Sequence, residues 1–218
     1  MSTPPGDGPD SGGASPAFAA AVTALRAGGV VAIPTDTVYG LAVDPSRPGA
    51  TDRLFELKRR PADFELPVLV ATRSQAASLV DASRWGSAAE KLATAFWPGA
   101  LTLVVARQPG LGWALGGDGV TIGLRCPAHP GVRSLCEAVG PIATTSANLH
   151  GRPPCADAAS VRRTFGARVA LVVDGGICGG SSSTVVDVTG AEPRCLRTGA
   201  VAWDDVLAIA AAPAPRSS

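Results

Sequence analysis

Short apolar runs, each too brief for a helix, alternate along this chain with longer stretches whose apolar residues recur at helical spacing. The runs at 30–33, 66–71, 101–106, 120–126, 142–145, 169–173, 184–189 and 194–197 read as strands. The segments 16–27, 51–59, 87–96, 130–139, 157–165 and 203–211 read as helices between them. Local signals support the alternation. Ser15-Pro16 resembles an N-cap with proline at the first helical position, and Gly28-Gly29 stops that helix. Ser87-Ala-Ala-Glu90 reads as a capping box, Trp97-Pro98-Gly99 ends the helix it opens, and Asp204-Asp205 suits the dipole of the last helix. Strands separated by helices predict an α/β sheet covered on at least one face.

Length then bounds the architecture. The chain has 218 residues, enough for one well-cored domain, expected at 16–211. Residues 1–15 are rich in Pro, Gly and Ser, and 212–218 are equally unable to bury much, so both are expected to be disordered tails. A formal net charge of +1 gives no chain-wide basic field for tight nonspecific nucleic-acid binding. Neither a signal-like leader nor an apolar stretch of membrane-spanning length is present, so a cytoplasmic protein without membrane contact is expected. Five cysteines without a C-x-x-C pair and two histidines disfavour structural zinc and favour reduced, packed thiols. Walker A, G-x-G-x-x-G, H-E-x-x-H and G-x-S-x-G sequences are absent, which disfavours P-loop NTPases, dinucleotide dehydrogenases, zincins and α/β-hydrolases.

The chemistry concentrates where the apolar pattern stops. Pro34-Thr-Asp-Thr-Val-Tyr-Gly-Leu41 follows a buried strand with a dense set of hydroxyls and one carboxylate in place of an ordinary hairpin turn; it is either a binding edge or a turn satisfying its own backbone. Lys58 and Arg60 stand at a helix exit before Pro61, as helix-end charges or as two cations aimed into one space. On 120–126, Val120, Ile122 and Leu124 share one face and Thr121, Gly123 and Arg125 the other. An interior arginine needs an anion, either a structural carboxylate or that of a ligand. Thr144-Thr145-Ser146-Ala147-Asn148 follows a strand, where α/β sheets gather ligands, or forms a simple turn or cap. Ser181-Ser182-Ser183-Thr184 lies behind two glycine pairs that permit an anion nest or a flexible loop, and Arg197 adds a cation at the end of the last strand. Cations and hydroxyls together suit a phosphate-bearing substrate with a small carboxylated partner. His129 reads as a polar helix-start residue and not as a base.

These stretches, in this order, resemble the YrdC family of L-threonylcarbamoyladenylate synthases. The likeness runs from about Val30 to Val201. It is carried by Pro34–Leu41, Lys58-x-Arg60, Trp97-Pro98-Gly99 with Leu101-Thr102, Arg125-Cys-Pro-Ala-His-Pro130, Ser146-Ala-Asn148, Ser183-Thr-Val-Val-Asp187 and Leu196-Arg197. It implies an open, twisted mixed sheet of YrdC/RibB type with a large concave ligand cavity, and a nucleotidyltransferase that turns L-threonine, bicarbonate and ATP into threonylcarbamoyl-AMP and pyrophosphate. Partner proteins then transfer the threonylcarbamoyl group to tRNA. By this resemblance Thr35, Arg125 and Ser183 hold threonine. Lys58, Arg60, Thr121, Thr144, Ser146, Asn148 and Arg197 meet ATP, with Lys58 and Arg60 the catalytic cations. Mg²⁺ is expected to arrive with ATP, its protein ligands being unspecified.

The likeness has departures. Many relatives read Asn-Pro-Leu after the K-x-R segment and carry a histidine shortly beyond; here Leu66-Pro67-Val68 stands there, with Ala71 near the histidine position, and the segment from Arg60 to Pro67 reads as slightly long. The chain resembles the short form of the family, without the additional C-terminal domain. Two other readings stay open: a noncatalytic RNA-binding protein using Arg152, Arg162, Arg163 and Arg168, and a carbamoyl-transfer module.

Overall fold

Pro16 fixes the first turn of α1 (Pro16–Arg26), and Gly28, at φ +78°, turns the chain directly into the sheet. The structure is a computed structural model describing residues 15–59, 64–149 and 151–212. Residues 1–14 and 213–218 of the two expected tails, together with Arg60 and His150, lie outside the described residues. After α1 come β1 (Val31–Ile33), β2 (Gly40–Val43), α2 (Ala50–Lys58), β3 (Val68–Leu69), α3 (Arg73–Ala77) and α4 (Ser87–Phe96). Then follow β4 (Leu101–Ala106), β5 (Thr121–Arg125), α5 (Pro130–Val139), β6 (Ile142–Ser146) and α6 (Ala158–Phe165). The chain closes with β7 (Leu171–Val172), β8 (Thr184–Asp187), β9 (Arg194–Arg197) and α7 (Trp203–Ala211).

Among the described residues, nine strands join one open mixed sheet in the order β7-β1-β2-β6-β3-β5-β4-β8-β9. The pairs β1–β7, β3–β5 and β4–β8 are parallel and the others antiparallel. Alternation along the strands splits the sheet into two faces. Ala32, Leu41, Val68, Leu103, Ile122 and Leu124 pack with Leu54 of α2, Leu92 of α4 and Phe165 of α6. Val31, Ile33, Leu69 and Ile142 point the other way, to Leu25 of α1 and Leu135 of α5. α1 and α5 cover one end of that second face, and its remainder, Gly123, Arg125, Thr144 and Ser146 included, floors the cavity described below.

The structure corrects several local expectations. The run 66–71 contributes only two ladder residues. Pro67 has no N–H to give, yet its carbonyl accepts from Thr144 N at 2.8 Å, and Leu66 and Val70 find carbonyls at Leu115 and Arg125. Ser87 caps nothing: Gly86 is the N-cap and makes no side-chain bond, so Ser87 is already inside the first turn. Glu90 is drawn outward instead, accepting from Trp85 Nε1 at 2.8 Å and pairing with Arg73 at 3.1 Å. The reciprocal box forms at Asp157 and Ser160, ahead of α6. Val120 lies outside β5 and is exposed. The five cysteines are all free. Among the described residues, no helix is long and apolar enough to cross a membrane.

Tyr39 ties the β1–β2 loop to the segment after β7. Its fully buried ring places Oη to donate to Gly176 O at 3.0 Å and to accept from Gly175 N at 3.1 Å, and burial pushes the phenol pKa up. Tyr39→Phe strands both backbone groups. It should cost about 1–3 kcal/mol in urea unfolding, with a Tm lower by several degrees; an unchanged midpoint would show that this tie carries no stability.

Candidate active site

The loop between β1 and β2 satisfies itself only in part. Thr35 Oγ1 donates to Val38 O at 2.6 Å and accepts from Thr37 N and Val38 N, closing a local turn. The next two side chains reach across the molecule to Arg125, which is buried at the end of β5. Its Nε donates to Gly99 O at 2.9 Å, Nη1 donates to Thr37 Oγ1 at 2.9 Å, and Nη2 stands 2.7 Å from Asp36 Oδ1. The contact with Asp36 is an ion pair without hydrogen-bond alignment. A structural carboxylate therefore neutralises Arg125, while three contacts fix the plane of its guanidinium on the cavity floor.

The glycine-rich segment 174–183 runs against this loop. A Cβ at Gly175 would stand 2.5 Å from Pro34 Cγ, and one at Gly180 would stand 2.8 Å from Thr37 O, while Gly180 N donates to that same carbonyl at 3.1 Å. These two glycines permit close backbone approach; they do not form an anion nest. At the end of the segment Ser183 is buried, its Oγ sharing a 2.9 Å hydrogen bond with Thr102 Oγ1. Arg197 donates to Ser183 O from Nε and Nη2 and to Ser183 Oγ from Nη2, at 2.9–3.1 Å.

At another part of the cavity α2 meets the end of β6. Lys58 is 3% exposed, and its Nζ donates to Ser146 O at 2.7 Å, Asn148 Oδ1 at 2.9 Å and Ser146 Oγ at 3.3 Å. The cavity enclosed by these groups measures about 640 Å³, the scale of a nucleotide-sized ligand. Thr35, Arg125, Thr144, Ser146, Asn148, Ser183 and Arg197 line it. Lys58 stands one side chain back, behind Ser146 and Asn148. Thr121 also stands back, hydrogen-bonded at 3.3 Å to Glu65, which does line the cavity. Arg60 falls outside the described residues.

Glu65, Thr102, Thr37 and Asp36 carry weight that the sequence reading did not give them. Burial pushes the Glu65 carboxyl pKa up, offset in part by the Thr121 hydroxyl, and Oε1 has no hydrogen-bond partner among the described residues. The sign is that of an acid harder to ionise folded than unfolded. The resulting penalty is absent below the usual glutamate range and grows as pH rises through it towards the folded-state value. Glu65→Gln should thus match or exceed the wild-type Tm at pH 7 and lose that advantage below about pH 4. A Tm difference that does not change with pH would contradict this.

His129 sits at the start of α5 against Phe18, with ring centroids 5.7 Å apart, and burial lowers its pKa. Ala71, expected near a ligand contact, is buried away from the cavity, and Leu69 lines it instead.

A curved mixed α/β sheet whose concave face presents fixed cations and hydroxyls around a nucleotide-sized cavity defines a binding fold for small anionic ligands. The Sua5/YciO/YrdC family, described as "Telomere recombination", matches residues 23–199, and the chain belongs to that family. A protein of Mycobacterium tuberculosis (strain ATCC 25618 / H37Rv), provisionally named a threonylcarbamoyl-AMP synthase, is 42% identical over 190 residues, covering 87% of each chain. The threonylcarbamoyl-AMP synthase of Bacillus subtilis (strain 168) is 38% identical over 200 residues, 89% of this chain and 56% of that one. The structure of P. abyssi Sua5 complexed with L-threonine superposes with a TM-score of 0.83 at 36% identity, covering 88% of this chain and 56% of that one. The chain thus spans about half the length of the latter two proteins.

Proposed function

We propose that the chain is a threonylcarbamoyl-AMP synthase, joining L-threonine, bicarbonate and ATP and releasing pyrophosphate. The observation that carries this reading is Arg125, buried and oriented on the cavity floor, with Ser146 and Asn148 along the same cavity and Lys58 directly behind them. A carboxylate site and a phosphate site in one enclosure suit an amino acid and a nucleotide side by side. Relatives bearing the synthase name, and a Sua5 structure holding L-threonine, support it.

In this reading the Nη1 and Nη2 hydrogens of Arg125 that make no hydrogen bond to the protein take threonine's carboxylate, with Thr35 and Ser183 beside it. The neutral amine of threonine and bicarbonate form a carbamate with loss of water. A carbamate oxygen then attacks the α-phosphorus of ATP, the bond from that phosphorus to the bridging oxygen breaks, and pyrophosphate leaves. Two anions meet in that step, so charge neutralisation and alignment supply most of the acceleration, without a covalent protein nucleophile. A phosphoryl oxygen that displaces Asn148 Oδ1 or Ser146 Oγ from Lys58 gains a desolvated cation. Arg197, Thr144 and Thr121 complete the nucleotide side, and Arg60 is assigned to it by resemblance.

Mg²⁺ belongs to the proposal as an ion that enters on the triphosphate. The oxygens around Lys58, one hydroxyl, one side-chain amide and one main-chain carbonyl, suit an ion that brings phosphate and water ligands of its own. Transfer of the threonylcarbamoyl group to tRNA by separate proteins is the proposed fate of the product. The RNA-binding alternative loses two of its four arginines to local work: Arg168 holds Thr164 O and Phe165 O, and Arg162 pairs with Asp174.

Incubation with ¹³C-bicarbonate, ATP and threonine tests the reading by product mass. A labelled adenylate that needs all three substrates is expected. An adenylate without the label, or none, would overturn it.

A further inference from the structure

We infer that Glu65 takes up a proton from solvent as the nucleotide enters the cavity, so that this carboxyl group is neutral while a polyanion is bound. This rests on the nucleotide half of the synthase reading and deepens it, making the affinity for ATP depend on pH through one named residue.

Among the described residues Glu65 is the sole acid lining the cavity; the charged groups that share the lining are Arg125, already paired with Asp36, and Arg197. The loop ahead of β5 closes over its stem. Leu66 N donates to Leu115 O at 2.8 Å, and a Cβ at Gly117 would stand 3.2 Å from Glu65 Cβ. The carboxyl also shares its hydrogen-bond donor with a second carboxylate. Thr121 Oγ1 stands 3.3 Å from Glu65 Oε2 and 3.4 Å from Asp118 Oδ1, and a hydroxyl has one proton to give. Asp118 Oδ1 accepts in addition from the backbone N–H groups of Val120 and Thr121, at 2.9 and 3.3 Å, whereas Glu65 Oε1 is buried without a hydrogen-bond partner among the described residues. Glu65 is therefore the member of the pair left short of donors. Burial already pushes its pKa up; the Thr121 hydroxyl opposes that rise, Asp118 adds to it, and Arg107 and the Gly123 N–H oppose it.

A triphosphate in the same cavity adds several negative charges within an enclosure that shields them from water, where repulsion of a carboxylate is strongest. Like charges crowded together favour the protonated acid. One proton on Glu65 removes its part of that repulsion, and on Oε1 it turns an unmet acceptor into a donor. The sign of the linkage follows. A group whose pKa rises on binding is one whose protonated form the ligand prefers, so affinity is greatest with Glu65 neutral and falls as pH rises through its value in the free protein.

The test is isothermal titration calorimetry of ATP with excess Mg²⁺, without threonine or bicarbonate, in two buffers of unlike ionisation enthalpy, MES and bis-Tris, at about pH 6. Wild type should take up a fraction of a proton that Glu65→Gln, uncharged and of the same shape, does not; the comparison cancels the titration of ATP itself. Between about pH 5 and 8 the wild-type Kd should rise at least about threefold relative to that of the variant, since each pKa unit gained on binding is tenfold in Kd. Glu65→Gln should then bind ATP more tightly than wild type at pH 8. Equal proton uptake by the two proteins would overturn the assignment. So would weaker binding by the variant at pH 8, which would make the ionised carboxylate an acceptor for the nucleotide or a ligand to its Mg²⁺. No ATP binding by either protein would overturn the nucleotide site and this inference with it. Proton-linked ATP binding without threonine-dependent turnover would leave the inference standing and overturn the synthase reading alone.

Discussion

Arg125→Lys raises the KM for threonine by roughly 10–100-fold and leaves the KM for ATP near the wild-type value. The size follows from hydrogen bonds to a charged group, each contributing about 1.5–3 kcal/mol. Lysine keeps a positive charge beside Asp36, so the carboxylate keeps its counter-ion and the fold is preserved. It lacks the planar fork that now meets Gly99 O, Thr37 Oγ1 and Asp36 and still has N–H groups without a hydrogen-bond acceptor. Steady-state kinetics with one substrate varied at a time separates the two constants. Equal losses on both substrates would mean that Arg125 shapes the cavity as a whole and holds no carboxylate.

Lys58→Ala is expected to act on the opposite substrate, cutting kcat/KM for ATP by about 10²–10³-fold, the range for removing one preorganised charge from a developing anion. Threonine binding measured calorimetrically without nucleotide should persist, because Lys58 touches Ser146 and Asn148, whereas Arg125 is held by Gly99, Thr37 and Asp36. The substitution also takes one donor each from Asn148 Oδ1 and Ser146 O, which keep only Ser146 Oγ and Asn148 N, so part of the loss comes from a loosened end of β6. Lys58→Arg addresses that part: a guanidinium can hold both acceptors, and recovery of Tm without recovery of activity would place the effect in the ammonium's position. Loss of threonine binding in Lys58→Ala would contradict the division of the cavity into two sites.

Where periodicity was unambiguous, the elements were legible. β4 and α5 begin and end at the residues read from the sequence, since a six-residue run with five apolar residues and a proline-opened amphipathic helix each admit one interpretation. β2 was hidden because Gly40 and the polar loop before it look like an interruption, yet all four of its residues are buried. α3, five residues long, is too short to display a helical period.

The site was legible in proportion to how anomalous each residue was. Arg125 stands out on a buried strand, and Ser146 and Asn148 stand out at a strand end. Asp36 and Thr37 were visible as polar groups, but no local pattern discloses that they converge on an arginine from a distant strand. Thr102 reads as an ordinary strand threonine until β8 brings Ser183 against it. Ala71 was singled out because it stands near the position where relatives carry a histidine, and only the pairing of β3 with β5 shows that Leu69 is the residue beside Arg125.

The measurement that bears most directly on the proposed function is pyrophosphate release from ATP in bicarbonate buffer, with and without L-threonine. Release that requires threonine, and that Lys58→Ala loses, is the predicted result. ATP turnover indifferent to threonine, or ATP bound without turnover, would contradict it.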